Sequence, residues 1–393
     1  MSHDPCIVII YSTFGDGHVQ AAKAIRQTLA SRGVKRIHMI DLLAEAHPYW
    51  NALSRFTYLK STVYFPKLYG WSYRVTNRAN PDPKLSRLFH SIGKRKMKQV
   101  IEELRPDAVI HTFPYLAMSE MCGEKGIGIP TFTVLTDYVL HSRWVHPHTD
   151  RYFVATEQLK QALTDAGIGE NRIAVSGIPI RNAFGKPMDK QALSAKYGLN
   201  PENRYVLISA GAYGVLSDVR KMVQGVLENT GFHVLLVCGK NRKLLQEMQT
   251  AYEGENRIRV MGFVEQMEEL MAVSSCLLTK AGGITLTEAL SASLPVIVYR
   301  PLPGQEEGNA DVLRSQSALY TAHDLAELKE RLRQLEHESG RRRMERAMKA
   351  VYRPNAAESI VADVLMIMEQ YSYRKRKYAV PAERQAAHAH GYY

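Results

Sequence analysis

Cysteines are few in this chain, and long apolar runs are missing. The four cysteines among 393 residues are widely spaced and form no C-x-x-C pair, which argues against a disulfide framework and favours a reducing cytoplasm. No stretch approaches the ~18 uninterrupted apolar residues of a membrane-spanning helix. The N-terminus lacks the basic and apolar regions of a signal peptide. We therefore expect neither a secreted nor a membrane-spanning protein.

The sequence also lacks nucleic-acid-binding motifs, although its net charge of +12 calls for an anionic partner. Basic clusters occur at residues 94–98, 341–346 and 374–377. None matches a helix-turn-helix, zinc-finger or RNA-recognition signature. An anionic membrane surface or a phosphate-bearing substrate is therefore expected, and nucleic acid is not.

Short β-branched runs alternate with helical patterns along the chain, from "IVIIYS" to "PVIVYRP". Continuous apolar strands of this kind are typical of parallel sheets covered by helices on both faces. With 393 residues, 45% of them hydrophobic, the chain can bury two cores. The polar segment 177–204 separates two such halves and is the expected interdomain linker. The fold class is therefore α/β, with two doubly wound parallel sheets.

The end of the chain follows a different pattern. An amphipathic helix is expected near residues 353–370, packed back on the first domain. The basic segment 371–393, which ends in "AHAHGYY", has the composition of a disordered tail.

The segment "STFGDGHVQAA" lies where the first strand should turn into a helix. Gly15 and Gly17 permit a tight turn and a close approach of a ligand, and the junction aims His18 at a cleft. The spacing matches neither G-x-G-x-x-G nor the P-loop, which argues against a dehydrogenase. His18 is either a catalytic group or a simple helix cap.

A second glycine turn, "TKAGGITLTEA", follows a later strand. Amides at Gly282 and Gly283 open a helix toward a phosphate, where the positive end of the helix dipole favours anions. Glu288, further along that helix, is placed to accept both hydroxyls of a ribose. The alternative is a tight packing turn followed by a surface glutamate.

The next loop, "RPLPGQEEGNA", carries several donors and acceptors. Gln305, Glu306 and Asn309 are suited to reading sugar hydroxyls, although a solvated helix start is the alternative. Upstream, "SAGAYG" is another glycine turn, and "MGFVEQMEEL" offers backbone groups at Phe263 and Val264 for a base edge.

One region, residues 50–73, breaks the strand–helix alternation because it is rich in aromatic side chains. Either it is a helical insertion packed on the domain, or it lies at a membrane interface, where Trp and Tyr beside Lys and Arg are favoured. The aromatic residues are Trp50, Phe56, Tyr58, Tyr64, Phe65, Tyr69, Trp71 and Tyr73.

Together these segments resemble the GT-B glycosyltransferases of family 28, and most closely the processive diacylglycerol glucosyltransferases and their relatives, the monogalactosyldiacylglycerol synthases. The likeness extends over about residues 7–361 and includes "EAHPYW", "HTFP", "TDYVLHSRWVHPHTDRYFVAT", "VCGKN", "GGITLTEA" and "PGQEEGNA". It implies two Rossmann-like domains that face a cleft. Residues 1–176 would bind acceptor and membrane, and residues 177–352 would bind the UDP-sugar.

The resemblance also implies site residues. His18 would be the general base, Asp137 would orient the base or the acceptor, and Gly15, Gly17 and Trp144 would form the acceptor side. Two positions depart from the family pattern, since Tyr213 replaces a usual His and Ala281 a usual Pro. The implied donor-binding residues are Arg181, Gly211, Tyr213, Phe263, Val264, Gly282, Gly283, Thr285, Glu288, Gln305, Glu306 and Asn309.

The implied reaction is the transfer of a hexose, with glucose favoured over galactose, from a UDP-sugar to diacylglycerol with inversion. One sugar or, processively, several would be added. The enzyme would act as a peripheral protein on the inner face of a bacterial cell membrane. The chain has no D-x-D triplet, so we expect metal independence and no cofactor; a metal site in "HSRWVHPH" or "AHAH" is disfavoured because no Cys or carboxylate lies at zinc spacing. The alternatives are an N-acetylglucosaminyltransferase acting on a peptidoglycan precursor, a UDP-sugar-sensing regulator and, least favoured, a UDP-sugar epimerase.

Overall fold

The computed structural model describes residues 4–13, 15–46, 49, 66–77, 91–214, 216 and 218–378. Within these residues the chain forms two six-stranded sheets, and the strand pairs are parallel throughout. The predicted α/β class with two parallel sheets is confirmed.

The N-terminal sheet has the strand order β2-β1-β3-β4-β5-β6. Its strands are β1 Cys6–Tyr11, β2 Arg36–Asp41, β3 Ala108–His111, β4 Thr131–Val134, β5 Arg151–Val154 and β6 Ile173–Val175. The helices along this half are α1 Asp16–Ser31, α2 Leu42–Ala46, α3 Pro66–Thr76, α4 Lys94–Leu104, α5 Ala117–Lys125 and α6 Glu157–Asp165, with 3₁₀ turns at Ser142–Trp144 and Glu170–Arg172.

The C-terminal sheet has the order β12-β11-β10-β7-β8-β9. Its strands are β7 Tyr205–Ser209, β8 His233–Val237, β9 Ile258–Met261, β10 Cys276–Thr279, β11 Val296–Tyr299 and β12 Tyr320–Ala322. The helices are α7 Lys190–Tyr197, α8 Val219–Asn229, α9 Arg242–Ala251, α10 Met267–Val273, α11 Gly283–Ser291, α12 Gln305–Ser315, α13 Leu325–Glu336, α14 Glu338–Val351 and α15 Ala356–Tyr378. The short strand β12 has no apolar run and was not predicted.

The run "CIVII" is apolar at every position because helices cover both faces of β1. Ile7 and Ile9 pack in one cluster with residues of α1 and α15. Val8 and Ile10 point the other way and pack with residues of α4 and α5. Successive side chains of a strand alternate between faces, so both sets must be apolar when both faces are buried.

Helix α15 returns to the N-terminal sheet. Its residues Ile360 and Val364 are fully buried in the cluster around β1, and Arg151 Nε of β5 donates to Asp363 Oδ2 at 2.7 Å. The helix continues to Tyr378, which corrects the prediction that disorder begins at residue 371. Arg and Lys have good helix propensity, so a basic composition does not end a helix. Residues 379–393 lie outside the described part.

Two other predicted segments have a definite structure. The expected linker, 177–204, includes α7, and its Ile178 and Phe184 are buried. Of the aromatic segment, residues 66–73 belong to α3, and residues 50–65 lie outside the described residues. None of the described helices is long and apolar enough to cross a membrane.

Candidate active site

A cavity of about 450 Å³ lies between the two sheets, at the carboxyl ends of their strands. Parallel α/β sheets bind ligands at this edge. Ten predicted site residues line it, from both domains: Gly15, Gly17, His18, Asp137, Trp144, Gly282, Gly283, Thr285, Gln305 and Glu306. The structure therefore joins the predicted base with much of the predicted donor site.

His18 lies in the first turns of α1 and is fixed through its Nδ1 atom. Nδ1 is 2.8 Å from the Thr112 carbonyl oxygen and 3.0 Å from Thr136 Oγ1. A carbonyl only accepts hydrogen bonds, so Nδ1 carries the proton and donates it to Thr112. Nε2 of the neutral ring is therefore the basic nitrogen.

The surroundings of His18 keep the ring neutral. Burial lowers the pKa of His18 below its ordinary value, while the Asp137 carboxylate opposes that shift. The ring also contacts Phe113 edge-on, with centroids 4.8 Å apart, and Trp144 lies 6.3 Å away. A neutral imidazole with one fixed tautomer is what a general base requires.

Asp137 does not orient His18 by a direct hydrogen bond. Within the described part of the chain, the hydrogen bonds of the His18 ring run to Thr112 and Thr136. The ring is held by these two threonines, which follow β3 and β4, and the predicted role of Asp137 in orienting the base or the acceptor stays a prediction. Asp137 acts on the ring through its charge.

Helix α11 begins at the opposite wall with two glycines in different environments. A Cβ on Gly282 would meet no atom within 4 Å, whereas one on Gly283 would lie 2.1 Å from the Thr136 carbonyl oxygen. The first turn of α11 contains no acidic residue, so its positive dipole end is free to attract an anion. Gly282 and Thr285 line the cavity and remain predicted diphosphate contacts, whereas Gly283, predicted with them, packs against the N-terminal domain.

Gln305 and Glu306, which are predicted to bind the sugar, begin α12 and line the same cavity. Glu306 is held in place, because its Oε1 is 2.7 Å from Lys280 Nζ and its Oε2 accepts from the Leu302 amide at 3.2 Å. Lys280, in "TKAGG", was not predicted as a site residue. Its position two residues before Gly282 was the available signal.

The structure corrects the prediction that Asn309 reads the sugar. Asn309 is fully buried. Its Nδ2 donates to Asp137 Oδ1 and to the Ala281 carbonyl oxygen, each at 3.0 Å, and its Oδ1 accepts from the Tyr138 amide at 2.8 Å. With both donor hydrogens engaged, this amide links the domains and does not face the cavity.

Glu288 and Arg181 lie outside the cavity lining. Glu288 is buried, and burial raises its pKa to about 8, with Arg181 opposing the shift. Arg181 Nη2 is 2.7 Å from Glu268 Oε2, and the residue lines a separate depression. The structure thus does not bring Arg181 to the predicted diphosphate position, because its guanidinium is paired elsewhere.

The predicted nucleotide end lies beyond the cavity, at the carboxyl ends of β7, β8 and β9. Lys240 Nζ is 5.7 Å from the ring centroid of Tyr213 and 5.1 Å from that of Phe263. Phe263 is 52% exposed, Val264 follows it, and Gly211 turns the chain with φ +80°. An ammonium between two aromatic rings was not predicted, although "VCGKN" contains it.

Helix α3 lines the cavity mouth and contacts both domains. A Cβ on Gly70 would lie 2.4 Å from Pro303 Cβ, and one on Gly304 would lie 2.7 Å from the Tyr73 ring. Thr76 Oγ1 is 3.3 Å from His141 Nε2 on the N-terminal side. On α3, Trp71 is 58% exposed. This helix therefore packs against both domains and leaves Trp71 exposed, so the packed and the interfacial interpretations both remain open.

The basic run that begins α4 is largely neutralised by its neighbours. Lys94 pairs with Glu124 at 2.7 Å and Lys96 with Glu45 at 3.1 Å. Lys98 lies 3.6 Å from Glu102 on the same helix. The attraction of this run for an anionic surface is therefore weaker than its sequence indicates.

The histidine side chains of the loop after β4 make hydrogen bonds within the protein. His141 accepts from the Arg143 amide at 3.1 Å, and His146 Nε2 is 2.9 Å from Glu120 Oε2. Among the residues that the structure describes, no group of three or more His, Cys, Asp or Glu is arranged to hold a metal ion.

Two parallel α/β domains that face each other across a cavity define the GT-B fold class. Solved structures share this fold: S. aureus MnaA with UDP has a TM-score of 0.63 at 15% identity, covering 93% of this chain and 97% of that one. Acinetobacter baumannii MurG has a TM-score of 0.59 at 16% identity, covering 92% and 100%.

Sequence comparison gives the family. The profile for monogalactosyldiacylglycerol synthase matches residues 18–180, and that for glycosyl transferases group 1 matches residues 199–353. The chain is 36% identical over 367 residues to processive diacylglycerol beta-glucosyltransferases of Bacillus cereus (strain AH187) and Bacillus mycoides (strain KBAB4), covering 93% of this chain and 94% of each relative. It belongs to the family of processive diacylglycerol β-glucosyltransferases.

Proposed function

We propose that this enzyme transfers glucose from UDP-glucose to diacylglycerol at a membrane surface, with inversion at the anomeric carbon. The observation that carries the proposal is the fixed tautomer of His18, which leaves Nε2 basic in a cavity shared with the start of α11. Nε2 takes the proton of the glycerol hydroxyl as its oxygen attacks the anomeric carbon, and UDP leaves.

The negative charge that develops on UDP is stabilised without a metal in this proposal. The amides at the start of α11 and the Thr285 hydroxyl are fixed donors at the cavity wall. Gln305 and Glu306 would bind the sugar hydroxyls, with Lys280 holding the Glu306 carboxylate. Glu288, whose raised pKa keeps it protonated near neutral pH, would have to lose that proton to accept both ribose hydroxyls.

Membrane contact is proposed for the face that carries α3. Trp71 and Val75 are exposed on α3, and amphipathic aromatic side chains favour the headgroup layer of a bilayer. Since the lysines that begin α4 are paired, we expect apolar insertion to contribute more than attraction to anionic lipid. The enzyme would then be peripheral on the inner face of the membrane.

In the test, the purified protein is incubated with liposomes that contain diacylglycerol. Labelled UDP-glucose, UDP-galactose and UDP-N-acetylglucosamine are supplied in separate reactions, each with and without EDTA. We expect glucosyl-diacylglycerol from UDP-glucose, unaffected by EDTA and absent with His18→Gln. No glycolipid from any donor would overturn the enzyme proposal and favour a UDP-sugar sensor. Loss of product with EDTA would overturn metal independence.

A further inference from the structure

The segment that follows β4 belongs to the N-terminal domain but is held by the C-terminal domain. It carries Thr136, which contacts the His18 ring, and Asp137, whose charge acts on that ring. Gly283 approaches the Thr136 carbonyl so closely that an added Cβ would lie 2.1 Å from it. The surroundings of the base are therefore completed by the domain that carries the donor site.

Asn309 of α12 makes the central contacts with this segment. Its Nδ2 donates to Asp137 Oδ1 at 3.0 Å and its Oδ1 accepts from the Tyr138 amide at 2.8 Å. The other Nδ2 hydrogen goes to the Ala281 carbonyl oxygen in the loop before α11. One buried side chain thus joins the loop of the base to the loop of the donor site.

We propose that Asn309 is a positioning residue, which fixes the Asp137 carboxylate beside His18 across the contact between the two domains. Asp137 then stabilises the imidazolium that forms as His18 takes the acceptor proton. This inference rests on the proposed reaction and deepens it, since it makes base catalysis depend on contact with the donor domain.

A second contact at the same interface provides a matched control. Tyr138 OH is 2.8 Å from Thr287 Oγ1 of α11. Thr287 Oγ1 itself donates to the Gly283 carbonyl oxygen, so the tyrosine hydroxyl is the donor in this pair. Tyr138→Phe removes one hydrogen bond between the domains and leaves the Asn309–Asp137 contact in place.

The kinetic test combines Asn309→Ala, Asp137→Asn and the double variant, with Tyr138→Phe as control. Loss of a buried hydrogen bond to a charged group predicts a fall in kcat of about 10- to 100-fold for Asn309→Ala, with the Kd for UDP close to wild type. The double variant should be no slower than the slower single variant. Tyr138→Phe should lower kcat less than Asn309→Ala does, and its effect on kcat should multiply with that of Asp137→Asn.

Two kinetic results would overturn the inference. A raised KM for UDP-glucose with unchanged kcat in Asn309→Ala would make Asn309 a sugar ligand. Effects of Asn309→Ala and Asp137→Asn that multiply would show that the two side chains act independently.

A measurement without substrate separates this inference from the proposed reaction. The imidazole carbon of His18 is followed by NMR titration in histidine-labelled full-length protein and assigned with His18→Gln. Asn309→Ala should shift the titration midpoint of His18 when Asp137 is present, and should not shift it in a protein that already carries Asp137→Asn. Tyr138→Phe should leave the midpoint of His18 unchanged. If Asn309→Ala leaves the His18 titration midpoint unchanged, the inference is overturned even if glycolipid forms. If the wild-type protein forms no glycolipid, only the proposed reaction is overturned. The other ionisable side chains lining the cavity are Tyr73, Tyr115, His141, Arg143 and Glu306.

Discussion

The two glycine turns that face each other across the cavity have the same architecture and opposite chemistry. Each follows a strand, and each has one glycine with room for a Cβ and one that faces the other domain. A Cβ on Gly15 would come no closer than 3.9 Å to another atom, His18 Cδ2, whereas one on Gly17 would lie 3.2 Å from Ile284 Cγ1. However, α1 has Asp16 in its first turn, whereas α11 has no acidic residue there. The positive end of α1 is thus partly offset by a carboxylate, whereas that of α11 is not, which suits the proposed division between a base on the first helix and an anion at the second.

The largest expected effect is on the base. His18→Gln keeps a hydrogen-bonding side chain but cannot accept the acceptor proton, so we expect kcat for glycolipid formation to fall about 100- to 10,000-fold. The Kd for UDP should not change, because the donor side is formed by α11. A radiolabel assay of glycolipid formation measures kcat, and calorimetric titration with UDP measures the Kd. A variant that retains kcat would remove His18 from the mechanism.

The next effect tests which glycine serves domain contact. Gly283→Ala places a methyl group against the Thr136 carbonyl, and displacing that loop by about 1 Å predicts roughly a 100-fold loss of kcat/KM. It should also lower the Tm. The matched variant is Gly282→Ala, where space is open and φ is −73°. It should lower the Tm less than Gly283→Ala does, because it exchanges only one N-cap residue for a poorer one. Equal Tm losses in both would contradict the distinction.

A smaller effect follows from making α11 resemble α1. Thr285→Asp adds a carboxylate near the start of α11, where it repels a diphosphate, so we expect KM for UDP-glucose to rise about tenfold. Thr285→Asn has similar size without charge and should raise KM less. If steady-state kinetics gave the same KM for both variants, the dipole of α11 would not be what attracts the donor.

The smallest effect concerns the buried carboxyl of α11. The pKa of Glu288 rises from 4.5 to about 8 on folding because of burial. The folded state thus holds a proton that the unfolded state has lost, and stability from this group falls as pH rises from about 4.5 to 8. Glu288→Gln should flatten that slope in urea unfolding. A parallel pH dependence in both proteins would contradict a buried, neutral Glu288.

Local patterns predicted most of the fold and part of the site. Continuous apolar strands such as "CIVII" indicate sheets covered on both faces, and glycine turns after strands marked Gly282 and His18. The His18 tautomer was not predictable, since it depends on the carbonyl of Thr112, 94 residues away. The role of Asn309 depends on how the domains meet, and no spacing within one loop encodes that.

Helix α15 also determines the order in which the N-terminal domain can be completed during synthesis. The side chains of Ile7 and Ile9 pack in a cluster that includes Ile360 and Val364. Since β6 ends at Val175, the ribosome must translate the whole second domain before this apolar surface is covered. At about 5 to 20 residues per second this takes on the order of ten seconds or more. During this time the nascent first domain exposes an apolar surface to which chaperones can bind.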